Sequence, residues 1–130
     1  MRKAGISTAT DITGFGLMGH ASNIARASKV NLHIESARLP FYEGAVELAS
    51  EGVFSGASKR GRETYDKHVN VASGALPAAV DICFDAETSG GLLMCIPPEK
   101  VSEMQLAMSP DDLFEQVGEV RNGESLVILE

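Results

Sequence analysis

Ala9-Thr10-Asp11-Ile12-Thr13-Gly14-Phe15-Gly16-Leu17-Met18-Gly19-His20 runs from an acidic residue through a glycine-rich turn into an apolar pattern of helical period. Asp11 offers one carboxylate beside two hydroxyl residues, Thr10 and Thr13. Gly14, Gly16 and Gly19 clear away side chains, so backbone N–H groups could approach an anion; such a turn at a helix N-terminus suits a phosphate or a metal–phosphate pair. A second reading needs no ligand: Thr13 caps the helix and Asp11 sits near its positive end. The turn alone does not decide between them, because short glycine motifs have low specificity without context. Beyond it, Leu17, Met18, Ala21, Ile24 and Ala25 follow helical spacing while Asn23, Arg26 and Lys29 point elsewhere, which predicts a helix over about 14–28. His20, a lone histidine on that helix, reads as structural or exposed.

A second stretch of the same make-up lies further on. Asp85-Ala86-Glu87-Thr88-Ser89-Gly90-Gly91-Leu92-Leu93-Met94 is again an acid, two hydroxyls and paired glycines leading into an apolar run. The chain around the two stretches has 130 residues and is 44% hydrophobic, which fits one domain over 1–130 that buries roughly two thirds of its unfolded surface. With 18 acidic against 11 basic residues, a formal charge of -7 argues against a broad positive surface for nucleic acid or an anionic membrane. Any phosphate must be held locally, by backbone amides, a metal or a few basic side chains. Arg2 and Lys3 open the chain, but residues 4–9 are too short and polar for a signal-peptide core, and no apolar run nears the ~20 residues of a membrane span. A cytoplasmic location is expected. Cys83 and Cys95 stand in apolar surroundings without zinc-type or redox spacing, and both read as small buried hydrophobes.

Residues 1–8 show no clear period and read as an arm or as the end of a preceding half. Val30-Asn31-Leu32-His33-Ile34-Glu35 alternates as a strand with one face buried, leaving His33 on the solvated face. Phe41, Ala45, Val46, Leu48 and Ala49 make a second amphipathic helix that Gly52 can stop in left-handed conformation. Val53 to Gly61 reads as a loop, and Lys59, Arg60 and Arg62 are either a phosphate clamp or a solvated charge run. A short helical turn and strand are expected near Val69 and Val71, and a short helix opens at Pro77. Leu92 to Ile96 is a continuous apolar run, expected to be a strand buried on both faces. Glu99 to Met108 reads as a helix with Val101, Met104 and either Leu106 or Met108 inward, ended by Pro110. Val117 to Arg121 and Ser125 to Leu129 flank Asn122-Gly123 as a final hairpin. Helical and strand patterns alternate throughout, which indicates an α/β domain. No Ser/His/Asp set or metal cluster can be assembled by proximity, so the residues alone do not make a complete enzyme.

Thr10-Asp11-Ile12-Thr13-Gly14-Phe15-Gly16-Leu17 and Glu87-Thr88-Ser89-Gly90-Gly91-Leu92-Leu93, in this order and spacing, resemble the C-terminal domain of selenophosphate synthetase (selenide, water dikinase), a member of the AIR synthase-related superfamily. The resemblance covers nearly the whole chain. It implies an α/β (α+β) fold in which a mixed sheet of about four to six strands carries helices mainly on one face, in partly ferredoxin-like order. It also implies ATP-dependent formation of selenophosphate from selenide and water. The catalytic Cys (or selenocysteine), an essential Lys and a glycine-rich loop belong to an N-terminal half; neither Cys83 nor Cys95 matches that Cys, and no catalytic residue is assigned in this chain.

ATP with Mg²⁺ would bind between the halves. There Asp11 would join N-terminal aspartates in holding the metals that bridge the phosphates. Hard Mg²⁺ prefers carboxylate and phosphate oxygens, and its charge offsets that of phosphoryl transfer. Thr13, Gly14 and Gly16 would shape the first turn, while Thr88, Ser89, Gly90 and Gly91 would form a second loop near the cleft. Bacterial members typically carry Arg-Asn where this chain has Arg60-Gly61, which leaves the role of the basic loop open. The intact enzyme would be a homodimer assembled mainly through the missing half, and this chain a monomer or weak dimer. Aminoimidazole ribonucleotide synthetase, thiamine-monophosphate kinase and the hydrogenase-maturation protein of this fold are the nearest alternatives. They usually have Gly where Phe15 stands and lack the residue 88–93 run in this form. A free-standing, non-catalytic domain that binds a nucleotide or a partner is an alternative of another class.

Overall fold

A computed structural model describes residue 6 and residues 8–130 of the chain. The arm expected over residues 1–8 therefore lies, apart from Ile6 and Thr8, outside the described residues. The longest element is α1 (Gly16–Ser28), which buries Met18, Ala21, Ser22 and Ala25 along one stripe. It ends where Lys29 turns left-handed at φ 56° and its N–H donates to the Ala25 carbonyl. The stripe packs on β2 (Val30–Ile34) and β6 (Val127–Leu129), and Met18, Ala21 and Ala25 share one core with Leu32, Ile34, Val127 and Leu129. Each such large apolar side chain contributes about 1.5–3 kcal/mol on burial.

Four strands form the central sheet in the order β3 (Val69–Val71), β6, β2, β5 (Gly118–Asn122). β6 runs parallel to both β2 and β3, whereas β5 is antiparallel to β2, so the sheet is mixed as expected. The final hairpin does not form: β2 separates β5 from β6. Val127 and Leu129 are fully buried while residues 119–122 are exposed, so the more apolar strand takes the interior of the sheet and the polar one its edge. Burial thereby overrides a local turn preference that stabilises little by itself. The connection is tied to β2 instead, since the Leu126 N–H donates to Asn31 Oδ1 at 3.0 Å.

β1 (Thr8–Asp11) and β4 (Leu92–Cys95) make a separate two-stranded antiparallel sheet. The sequence does not announce β1: Thr8 ends the aperiodic N-terminal stretch, and residues 9–11 open the first motif, where no strand is expected. β4 is a strand as expected, but it is not buried on both faces: Leu92 is 56% exposed and residues 93–95 are half-buried, because β4 has one partner strand and lies outside the central sheet.

The presumed loop over Val53–Gly61 is mostly helix: α3 (Gly56–Tyr65) starts at Ser55, whose Oγ accepts the Ala57 N–H at 3.0 Å. Its glycine and charges suggested a loop, but Ser58 faces inward and donates to the Asp81 carbonyl at 3.0 Å. α2 (Ala45–Ser50) is shorter than its pattern, and α4 (Pro77–Cys83) opens on Pro77 as expected. α5 (Val101–Leu106) buries Met104, and Met108 rather than Leu106 turns inward, Leu106 being 87% exposed.

Candidate functional site

Antiparallel pairing of β1 with β4 brings the two glycine-rich stretches together. Asp11, the last residue of β1, stands opposite Leu92, the first of β4. Past that pair the strands remain joined: the Ile12 N–H donates to the Gly91 carbonyl at 2.9 Å and the Glu87 N–H to the Thr13 carbonyl at 3.0 Å. Asp11, Thr13 and Gly14 are exposed, as are Thr88, Ser89, Gly90 and Gly91, so seven of the eight site residues expected from the sequence lie on this joined, solvent-facing segment. Gly16 is the exception and is buried.

The glycines divide into two kinds. A Cβ on Gly16, whose φ is +64°, would stand 2.6 Å from the Asp85 carbonyl oxygen and 2.9 Å from that of Cys83. A Cβ on Gly90 would collide with the Ile12 carbonyl oxygen. These two glycines allow backbone to pass close to backbone. A Cβ on Gly14 or Gly91 would meet nothing within 4 Å, so their bareness serves no contact inside the chain; the Gly91 carbonyl is taken by Ile12, and no side chain of their own shields the two N–H groups.

Thr13 does not cap α1. The residue before the helix is Phe15, without a side-chain cap, and Thr13 is engaged with His20 instead. Its N–H donates to His20 Nε2 at 3.1 Å, its Oγ1 also lies 3.1 Å from Nε2, and Thr10 Oγ1 lies 3.4 Å from Nδ1. The Phe15 ring lies 5.6 Å from that of His20 and meets Tyr65 edge-on at 6.0 Å. His20 is thus structural, as a lone helical histidine suggested, but it organises the candidate site itself. The signal available in sequence was its position one turn after Gly16, on the helix that follows the motif.

No pattern in the sequence assigns Asp85 a role of its own. Its carboxylate accepts the Ser55 hydroxyl, the Ser55 N–H at 3.2 Å and the Ala86 N–H at 2.9 Å, clamping the second motif to the start of α3. The basic cluster is split. Arg62 pairs with Asp81 at 2.5 Å and lies 5.6 Å from the centre of the Phe84 ring, whereas Lys59 and Arg60 are exposed on α3. His33 is not solvated as expected: its Nδ1 lies 3.0 Å from Glu130 Oε1 and its side chain is 18% exposed.

Among the described residues no hydrogen bond or ion pair engages the Asp11 carboxylate, and no group of three or more His, Cys, Asp and Glu could hold a metal alone. One free, exposed carboxylate on a fixed backbone fits a single hard ligand to a shared Mg²⁺, and does not make a complete cage. Burial, with the Glu87 charge adding to it, pushes the Cys83 thiol up to about 12, and burial raises Cys95, which is half-buried rather than fully buried. Thiolate is the nucleophilic form, so neither is suited to attack at neutral pH. An open groove of about 390 Å³ between β1 and α1 is lined by His20 together with Thr8, Thr10, Asn23 and Ile24, and no Lys or Arg lines it.

A mixed sheet packed by α1 and two glycine turns zipped beside one free carboxylate define the class. From residue 1 to 129 the sequence matches the family described as AIR synthase related protein, C-terminal domain, and the chain belongs to that family. Within it, the chain is 41% identical over 122 residues to the selenide, water dikinase of Nitratidesulfovibrio vulgaris (strain DSM 19637 / Miyazaki F), covering 92% of this chain and 35% of that protein. It is 37% identical over 125 residues to the selenide, water dikinase of Burkholderia ambifaria, covering 95% and 35%. The chain therefore spans about a third of the length of these relatives. Its fold is similar to thiamine-monophosphate kinase from Stenotrophomonas maltophilia, with TM-score 0.57, 19% identity and coverage of 96% of this chain and 31% of that one. It is also similar to AaThiL complexed with AMPPCP and TMP, with TM-score 0.52, 24% identity and coverage of 95% and 30%. No helix among the described residues is long and apolar enough to cross a membrane.

Proposed function

We propose that the chain is the C-terminal domain of an ATP-dependent selenophosphate synthetase, which makes selenophosphate from selenide, ATP and water. The observation that carries this reading is the junction of the two motifs, Asp11 opposite Leu92 with Ile12 and Thr13 bonded to Gly91 and Glu87, presenting a free carboxylate and two open glycines on one surface. Identity of 37–41% to selenide, water dikinases favours this substrate over that of the thiamine-monophosphate kinases, which share the fold at 19–24%.

Asp11 would be one ligand of Mg²⁺, which supplies positive charge against the phosphate oxygens when bound. Gly14 and Gly91 leave backbone N–H groups unshielded for phosphate oxygens, Thr88 and Ser89 add hydroxyl donors at the same edge, and Thr13, engaged with His20, shapes the turn. Gly16 and Gly90 act from behind by letting the turns pack. Nucleophile, lysine and the other carboxylates would come from an N-terminal half, and the intact enzyme would be a cytoplasmic homodimer. Leu92, opposite Asp11, and Phe15, whose ring lies against His20, are 56% and 55% exposed and are apolar surface that such a half would cover. In the full-length protein, Asp11→Asn should leave the melting temperature unchanged and cut selenide-dependent ATP hydrolysis by roughly a hundredfold or more, since ~1.4 kcal/mol of lost stabilisation is tenfold in rate. Near-normal turnover would remove Asp11 from the site.

A further inference from the structure

We infer that His20 is a positioning residue of this site, holding the backbone on both sides of Asp11 through both of its ring nitrogens; the inference rests on the reading of Asp11 as a metal ligand. A backbone N–H can only donate. Because the Thr13 N–H lies 3.1 Å from Nε2, that nitrogen must present its lone pair, and the proton of the neutral ring sits on Nδ1. Nδ1–H then faces Thr10 Oγ1 at 3.4 Å, and the Thr10 hydroxyl donates onward to the Asp11 carbonyl at 3.0 Å. The direction of every bond follows from that first donor. Residue 10 and residue 13 are thereby tied to one rigid ring, and the ring rides on α1, whose neighbouring Met18 and Ala21 are fully buried.

Asp11 itself is left with its peptide held and its carboxylate free, the arrangement a ligand needs if ordering it is not to oppose metal binding. Partners one step removed from a metal ligand typically change metal affinity by about 10–100-fold when replaced. In the full-length protein, His20→Leu should raise the Mg²⁺ concentration for half-maximal ATP hydrolysis by about tenfold. His20→Gln should restore it to within about threefold, because the amide oxygen reaches the place of Nε2 and accepts the Thr13 N–H. Thr10→Val keeps the shape and removes the onward donor; it should raise the Mg²⁺ requirement too, and it keeps the test alive if His20→Leu fails to fold.

The second readout needs no activity. In the 130-residue chain, amide exchange at Thr13 should quicken by about tenfold or more in His20→Leu and slow again in His20→Gln. Unchanged exchange, or equal impairment of the Leu and Gln variants, would overturn the inference. So would an unchanged Mg²⁺ requirement in His20→Leu and Thr10→Val while Asp11→Asn is inactive, a result that leaves the metal reading of Asp11 standing. Near-normal turnover of Asp11→Asn in the same series would bring down that reading and this inference together.

Discussion

Replacing Gly16 by alanine separates packing from ligand binding in the first motif. Two penalties add at this position. The backbone has φ +64°, which costs a residue with a Cβ about 1–2 kcal/mol. The new Cβ would also stand 2.6 Å from the Asp85 carbonyl oxygen and 2.9 Å from that of Cys83. Both are backbone atoms that cannot swing aside, and relieving such overpacking costs about 1–3 kcal/mol more. The expected destabilisation is therefore about 2–5 kcal/mol. At about 2.1 cal/mol/K per residue, a chain of 130 residues loses ~3.7 °C of melting temperature per kcal/mol, so the midpoint should fall by about 7–18 °C. Gly14→Ala is the control. Nothing lies within 4 Å of its Cβ and its φ is not left-handed, so the lower entropy of the unfolded chain should leave the midpoint unchanged or slightly raised. Thermal melts followed by circular dichroism measure both. A Gly16→Ala midpoint within about 2 °C of the parent, or equal sensitivity at the two glycines, would refute the division of roles.

Asp85→Ala removes the acceptor for the Ser55 hydroxyl and two backbone N–H groups, and should cost about 1–3 kcal/mol, read as a lower melting temperature with α3 fraying at its start. With its thiol held at about 12 against an ordinary 9.0, Cys83 keeps its proton in the fold while the unfolded chain loses it above pH 9, so the folded state binds more protons and stability falls as pH rises from 9 towards 12. The slope nears about 1.4 kcal/mol per pH unit, and comparing melts of the parent and Cys83→Ala over pH 9–11 should reveal it as a difference. In the native protein a thiol reagent should label the half-buried Cys95 ahead of Cys83, and the order should disappear in denaturant. The purified chain should show no selenide-dependent ATP hydrolysis, and sustained turnover by it would contradict the need for an N-terminal half.

The helix after the first motif was legible because thirteen residues of one period outweigh any local ambiguity, and α1 spans Gly16–Ser28 as its apolar stripe requires. β2 was legible for the same reason, by alternation. The failures share a cause: each rests on a partner far away in sequence. Nothing in Thr8–Asp11 signals a strand until Leu92–Cys95 lies beside it. Asn122-Gly123 is a good hairpin turn, and only the burial of Val127 and Leu129 between β2 and β3 overrules it. Ser55 looked like loop composition until Ala57 and Asp85 showed it to be the start of α3.

The candidate site repeats that lesson at the scale of single residues. Composition marks Gly14, Gly16, Gly90 and Gly91 as equivalent, since each lacks a side chain beside an acid and hydroxyls. Geometry separates them, because what a glycine permits depends on the direction its missing Cβ would take. At Gly16 and Gly90 that direction meets carbonyl oxygens of the other motif or of the chain leading into it; at Gly14 and Gly91 it meets nothing. The inner pair lets the motifs close on each other, and that closure holds the outer pair and Asp11 at one exposed edge. A substitution at the inner pair should therefore act on folding first and on phosphate chemistry as a consequence, while a substitution at the outer pair or at Asp11 should act on chemistry with the fold intact.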